Sequence, residues 1–261
     1  MLTISGLGVL ALIVYWLDQN LQHSSFFTGY LLMGSVLFLA AFNLRKKLTF
    51  LPAIGSASMW MQFHIYVGWS TFVVFGFHVG WAVPNGIFES ALAFLYLFVA
   101  LSGVYGLYIT RVLPKRLAGL NEEVIYERIP GFRIKLARQV RELVLKACES
   151  TDILAKLYAN ELAAFFERPR GLAYMVSPNG RRRRTLISEI NNLDRYLAPD
   201  QRKVSHKLKA LVQKKDDLDY HAAVQGRLKL WLFLHVGMTY SLVLVGLLHG
   251  VMAMAFGGGM R

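Results

Sequence analysis

An all-α integral membrane bundle of five transmembrane helices, with a helical cytoplasmic insertion before the last span, is the fold class predicted by three features of this sequence. The first is composition. The 261 residues are 55% hydrophobic and only 17% charged, with a mean hydropathy of +0.40. A water-soluble domain of that average would expose large apolar patches. The second is blocking, because the apolar residues gather into runs near the ~20 residues that cross a bilayer. The third is one long polar stretch, 111–227, that interrupts them.

The five runs are Ile4–Leu17, Phe26–Leu44, Met59–Val83, Ile87–Ile109 and Leu228–Phe256. The first is shortest. It lacks the basic start and small-residue cleavage site of a secretory signal, so it reads as an uncleaved span. The net charge of +13 is uneven. Arg45, Lys46 and Lys47 follow span two, and Arg111, Lys115 and Arg116 follow span four. The loops after spans one and three carry Asp18 and Glu89 but no Lys or Arg. Positive charge marks the cytoplasmic side, which predicts a cytoplasmic N-terminus and an outer C-terminus. The expected location is an energised membrane such as the bacterial cytoplasmic membrane.

Residues 1–110 are thus the first four spans, 111–227 the insertion, and 228–261 the last span with a short outer tail. Within the insertion, FRIKLARQVRELVLKACES and TDILAKLYANELAAFFERP repeat apolar residues at helical spacing, with Thr151–Asp152 as an N-cap. ERPRG and VSPNGRRRR read as turns. From Pro199–Asp200 a stretch without further proline runs into span five, predicting one long helix with Gly226 as a weak point. The lone cysteine, Cys148, excludes an internal disulfide and reads as a buried structural thiol. Arg181–Arg184 has no nucleic-acid recognition motif beside it; contact with anionic lipid or a protein partner is expected instead. No GxGxxG turn, Walker loop or CxxCH motif is present.

The chemistry lies in four histidines. HIYVGWSTFVVFGFH carries His64 and His78; HVGMTYSLVLVGLLH carries His235 and His249. Each pair is spaced His-x13-His, which places both rings on one helix face with a rise of about 21 Å between them. Spans three and five run in the same direction, so His64 comes level with His235 and His78 with His249. Two neutral imidazoles on opposing helices are the axial ligands of a b-type haem in a helix bundle. Two haem b groups are therefore expected, each bis-His ligated. Gly68, Thr71 and Gly246 share the same stripes; small residues let a flat macrocycle approach and hydroxyls can bond ring nitrogens. Arg111, Arg227 and Lys229, with the Arg45–Lys47 cluster, are candidate partners for haem propionates on the cytoplasmic side, and Trp81, backbone or water for the outer side. Two histidines per level, without Cys, Asp or Glu at that depth, fall short of a closed zinc site. His206 and His221 read as solvated, and His23 sits at the outer edge of span two.

Two parallel helices with His-x13-His and one helix between them resemble the cytochrome b subunit of quinol oxidoreductases. The helix order is more similar to membrane ferric reductases and NADPH oxidases, which place paired haem histidines on a third and a fifth helix. That resemblance implies His64, His78, His235 and His249 as axial ligands. The chain departs from it by ending at FGGGMR with no flavin or nicotinamide domain. An electron-carrying subunit of a hetero-complex is therefore expected, in a lipid bilayer, with a multihaem cytochrome or dehydrogenase subunit or quinone as redox partner and no nucleic acid. Two alternatives stand beside it: a quinol/quinone oxidoreductase with its own quinone site, and a haem-free membrane scaffold with a histidine proton relay.

Overall fold

The computed structural model describes residues 8–9, 11–16, 24–45, 56–119, 124–148 and 152–257. Every regular element among them is helical. They are α1 (Ser24–Arg45), α2 (Ala57–His78), α3 (Ile87–Ala118), α4 (Ile129–Cys148), α5 (Asp152–Leu157), α6 (Ala163–Glu167), α7 (Leu172–Val176), α8 (Arg181–Leu193) and α9 (Pro199–Gly257). A π-turn, Tyr158–Leu162, joins α5 to α6. Residues 8–9 and 11–16 of the expected first span are helical; the rest of that span lies outside the described residues. His23, Lys46, Lys47 and Thr151 do too, as do the side chains of Arg45 and Cys148.

Three helices are long and apolar enough to cross a membrane: Ser25–Phe42, Ile87–Ala118 and the apolar part of Pro199–Phe256. Only 11–22% of their most apolar windows is buried within the protein. An apolar face that the protein leaves uncovered needs an apolar surrounding. Helix α2 has the length, 22 residues, and carries no Asp, Glu, Lys or Arg. Its two histidines, Gln62 and polar-tipped aromatics lower its hydropathy below that of the other three. Ser56 caps its start through a bond from the Met59 amide. Its end is closed two residues after His78. Gly80 adopts φ +63° and the Trp81 amide donates to Gly76 O at 2.9 Å, the Schellman termination that glycine permits. The Trp81 ring folds back over Gly76, where an added Cβ would meet it at 2.6 Å.

The chain divides into two compact units, Met1–Tyr108 with Trp231–Arg261, and Ile109–Leu230. In the first, Val36, Tyr96 and Leu242 form a small core with Phe75, so α1, α2, α3 and α9 all contribute to it. In the second, α4 presents Ile129, Leu136, Val140 and Val144 on one face. They meet Leu162 and Phe166 of the second helical segment, Leu186 and Ile190 of α8, and Leu208 and Val212 of α9.

Helix α9 runs unbroken for 59 residues. Gly226 does not weaken it; the glycine admits Met175 Sδ and Tyr126 Oη, which an added Cβ would meet at 3.4 and 3.5 Å. The polar half of α9 is more buried than its composition suggests. His206 is exposed, but His221 is only 3% exposed, which corrects its expected solvation. The reason is the helix's inner stripe, where Ser205, Lys215, Asp216 and Asp219 are also buried.

These charges are paired. Lys215 Nζ donates to Asp219 Oδ2 at 2.6 Å, Arg133 Nη2 stands 2.6 Å from Asp219 Oδ1, and Arg170 reaches both Asp216 and Asp219. Burial pushes the Lys215 ammonium down despite Asp219, and pushes the Asp216 carboxyl up despite Arg170 and Arg183. It also lifts the Tyr174 hydroxyl to about 12, with Asp216 adding to the shift. The arginine run is partly structural: Arg182 pairs with Glu161 and Arg183 with Asp216.

Removing one member of a buried pair strands the other, at a cost of about 3–5 kcal/mol. Asp219→Ala should therefore lower the unfolding free energy of the full-length protein by about that much, read from denaturant titration of helical circular dichroism. Asp194 supplies a pH dependence. Burial works upward on its carboxyl, but hydrogen bonds from Lys209 and Ser205 hold it below the usual carboxylate range. A depressed folded pKa gives stability that is present above the unfolded carboxyl pKa of about 4 and lost as pH falls through the folded value. Acid titration of the same signal should show that loss, and Asp194→Asn should flatten it.

Candidate functional site

All four histidines lie in the first unit, on α2 and α9. His78 and His249 stand with ring centroids 6.3 Å apart and planes at 87°. His64 and His235 are close enough for charge on one to act on the other. The N-terminal rings of the two helices lie near one another, and so do the C-terminal rings; within this unit α2 and α9 therefore run in the same direction.

Neighbouring helices fix how two of these rings are turned. His78 Nδ1 lies 3.1 Å from the Ser25 carbonyl oxygen and 3.4 Å from Thr28 Oγ1. A carbonyl only accepts, so Nδ1 carries the proton and donates. His235 Nδ1 lies 2.7 Å from Ser102 Oγ, whose own proton goes to Val99 O at 2.8 Å. That hydroxyl can then only accept, so His235 is also the Nδ1–H tautomer. In both rings the lone pair is left on Nε2. Fixing the remote nitrogen to present the other is how proteins prepare a histidine to ligate a metal.

The hydroxyl partners, Thr28 and Ser102, each sit beside a glycine that makes room for the ring. An added Cβ on Gly29 would meet His78 Cε1 at 3.0 Å, and one on Gly103 would meet His235 Cε1 at 3.6 Å. Thr28–Gly29 on α1 and Ser102–Gly103 on α3 are thus the same device used twice. The second is reinforced by Trp231, which stacks on His235 at 5.5 Å, donates from Nε1 to Ser102 O at 2.8 Å, and lies over Gly106. His64 packs against Phe42 at 5.2 Å, and its buried Nδ1 has no partner among the described residues. His249 stacks with Phe88 at 6.1 Å.

A cavity of about 510 Å³ opens at the His78–His249 level. Its walls include Gly29, Met33, Phe75, Tyr96 and Gly246, with Glu89 as its one charged residue. Such a volume is within the ~300–1,000 Å³ of small-molecule and cofactor sites. Gly246 faces Met33, whose Cε an added Cβ would meet at 2.9 Å. Thr71 is buried, donates to Gly68 O at 2.8 Å and accepts from the Tyr96 hydroxyl at 3.1 Å. An added Cβ on Gly68 would meet nothing within 4 Å.

Of the basic candidates, Arg111, Arg227 and Lys229 belong to the second unit. Arg227 donates from Nε and Nη2 to Met175 O and from Nη2 to Val176 O, satisfying carbonyls at the end of α7. Lys229 pairs with Glu127 and lies 4.2 Å over the Tyr126 ring. Arg111 is exposed on α3. Trp81 is 68% exposed and its ring covers Gly76.

Sequence reasoning missed Ser25, Thr28, Gly29, Ser102, Gly103 and Trp231. A signal was there: a hydroxyl residue followed by glycine, once in each of the two spans that flank the histidine helices. No family model, curated protein or solved structure matches the chain. Among the described residues no group of three or more His, Cys, Asp or Glu gathers to hold a metal ion, so any metal here would rest on paired imidazoles.

Ser102→Ala removes the side-chain acceptor of His235 Nδ1–H. Nitrogen-15 spectra of histidine-labelled protein should show the Nδ1–H population of one ring fall while that of His78, held by a carbonyl, stays unchanged.

Proposed function

We propose that this protein is an integral membrane di-haem b-type cytochrome of five spans that carries electrons across the bilayer as a subunit of an oxidoreductase complex. The observation that carries the reading is the close pair His78 and His249. An imidazole nitrogen ligates a metal from about 2 Å, so two rings facing across one ion have centroids about 6 Å apart. The observed 6.3 Å agrees with that spacing. The Nδ1–H tautomers of His78 and His235 and the glycines beside them further support it.

On this reading His64 and His235 hold the haem on the cytoplasmic side, and His78 and His249 hold the outer one. A haem with two imidazole ligands exchanges single electrons and leaves no position open for oxygen. The chain's own part is to hold the four rings, to set the tautomers of His78 and His235, and to surround the rings with apolar side chains that exclude water. Ser102 and the Ser25 carbonyl orient the ligands. The resemblance to cytochrome b subunits and to ferric reductases adds to this reading, as do the apolar helices. A soluble dehydrogenase, a multihaem cytochrome or quinone would deliver or collect the electrons.

A second reading, in which a quinone head group occupies the outer cavity, is favoured by the Glu89, Ser25 and Tyr96 side chains among its walls. It predicts redox kinetics sensitive to quinone-site inhibitors.

Reduced-minus-oxidised and pyridine haemochrome spectra of the purified protein decide the matter. Wild type should carry two b haems per chain, and His64→Ala and His249→Ala should each lose a different one. A well-folded preparation without haem would overturn the proposal.

A further inference from the structure

We propose that the Ile109–Leu230 unit carries an anion site for a phosphate ester, in the groove between α4 and α6. This does not rest on the histidine sites. The groove, of about 330 Å³, is lined by Arg133, Arg138 and Arg141, with Ile134, Ala137 and Phe166 as apolar wall and Glu167 at one side. Three guanidinium groups therefore face one carboxylate.

The charge behind the groove does not redress that balance. Arg133 belongs to the buried network as well, where Arg133, Arg170, Arg183 and Lys215 share Asp216 and Asp219. Across groove and network six cations meet three carboxylates. Two groups are visibly underused. Arg133 Nε is buried with no hydrogen-bond partner among the described residues, and its Nη2 contact with Asp219 is an ion pair without hydrogen-bond alignment. Arg138 forms no ion pair or hydrogen bond there either. Arg138, exposed on the groove, has no counter-charge, and an oxyanion would supply one.

Ligand chemistry follows from the donors and walls. Guanidinium forks match the paired oxygens of phosphate better than a lysine does. The groove exceeds a bare phosphate, and Phe166 with Ile134 offers an apolar face for what the phosphate is attached to. A phosphate ester with an apolar or aromatic substituent fits both. It could be a free metabolite or a phospholipid head group, and the same chemistry recognises either.

The test uses the full chain in phosphatidylcholine nanodiscs, with phenyl phosphate as the soluble probe and phosphatidylglycerol as the lipid. Wild type should gain thermal stability as phenyl phosphate is added, and Arg138→Gln should weaken the apparent affinity at least tenfold. Arg138 is exposed and unpaired, so that variant keeps its fold. Arg141→Gln, which gives up the exposed pair with Glu167 and an interaction with Tyr158, is the second variant. Arg195→Gln, an exposed arginine outside the groove, is the control. If phosphatidylglycerol alone gives the Arg138-dependent shift and phenyl phosphate adds nothing, the ligand is a lipid head group. No shift in wild type with either probe, or an equal shift in Arg138→Gln and wild type, overturns the site.

Discussion

An imidazole ring offers its Nε2 lone pair in a fixed direction only when something else holds its Nδ1. That constraint organises the first unit. His78 is held by α1 and His235 by α3, so neither of the helices that bear the histidines positions these two rings alone. The flanking helices must approach closely enough for a hydrogen bond yet leave room for a five-membered ring. Gly29 and Gly103 reconcile the two demands. The packing of four helices around Tyr96, Val36 and Leu242 follows from the same need for close, registered contact.

The second unit solves a different problem. A stretch of α9 rich in Lys and Asp is folded inward, and the cost of removing charge from water is met by pairing. Asp219 serves Lys215, Arg133 and Arg170 at once. Pairs of this kind add little net stability compared with apolar packing, but they penalise every misregistered arrangement of α4, α8 and α9. Arg170 adds direction, because its guanidinium also stacks on Tyr174 at 4.2 Å.

Much of this was legible in the sequence. Apolar periodicity located α4, since burial of one helix face leaves its mark on composition; the run without proline after Pro199 gave the long α9, and Pro, Asn and Gly marked the turns at 168–171 and 177–180. The His-x13-His spacing on two runs placed the rings on helix faces, because ring direction follows from 3.6 residues per turn. What spacing could not carry was the contact between helices. Nothing local to His78 says that Ser25 O will meet it 53 residues away. Local composition misled for His221, whose neighbours look solvent-facing until Asp219 and Lys215 are seen to turn inward with it. For the same reason, Arg181–Arg184 reads as four equivalent charges in sequence, while Arg182 and Arg183 answer particular carboxylates.

The two tethered imidazoles differ in what holds them, and the difference bears on how the protein can change over evolutionary time. The acceptor for His235 is a side-chain hydroxyl, so single nucleotide changes can strengthen, weaken or delete it. The principal acceptor for His78 is a peptide carbonyl, which every amino acid at position 25 would supply. One level is thus open to tuning by selection, while the other is inherited with the backbone and changes only if α1 itself moves.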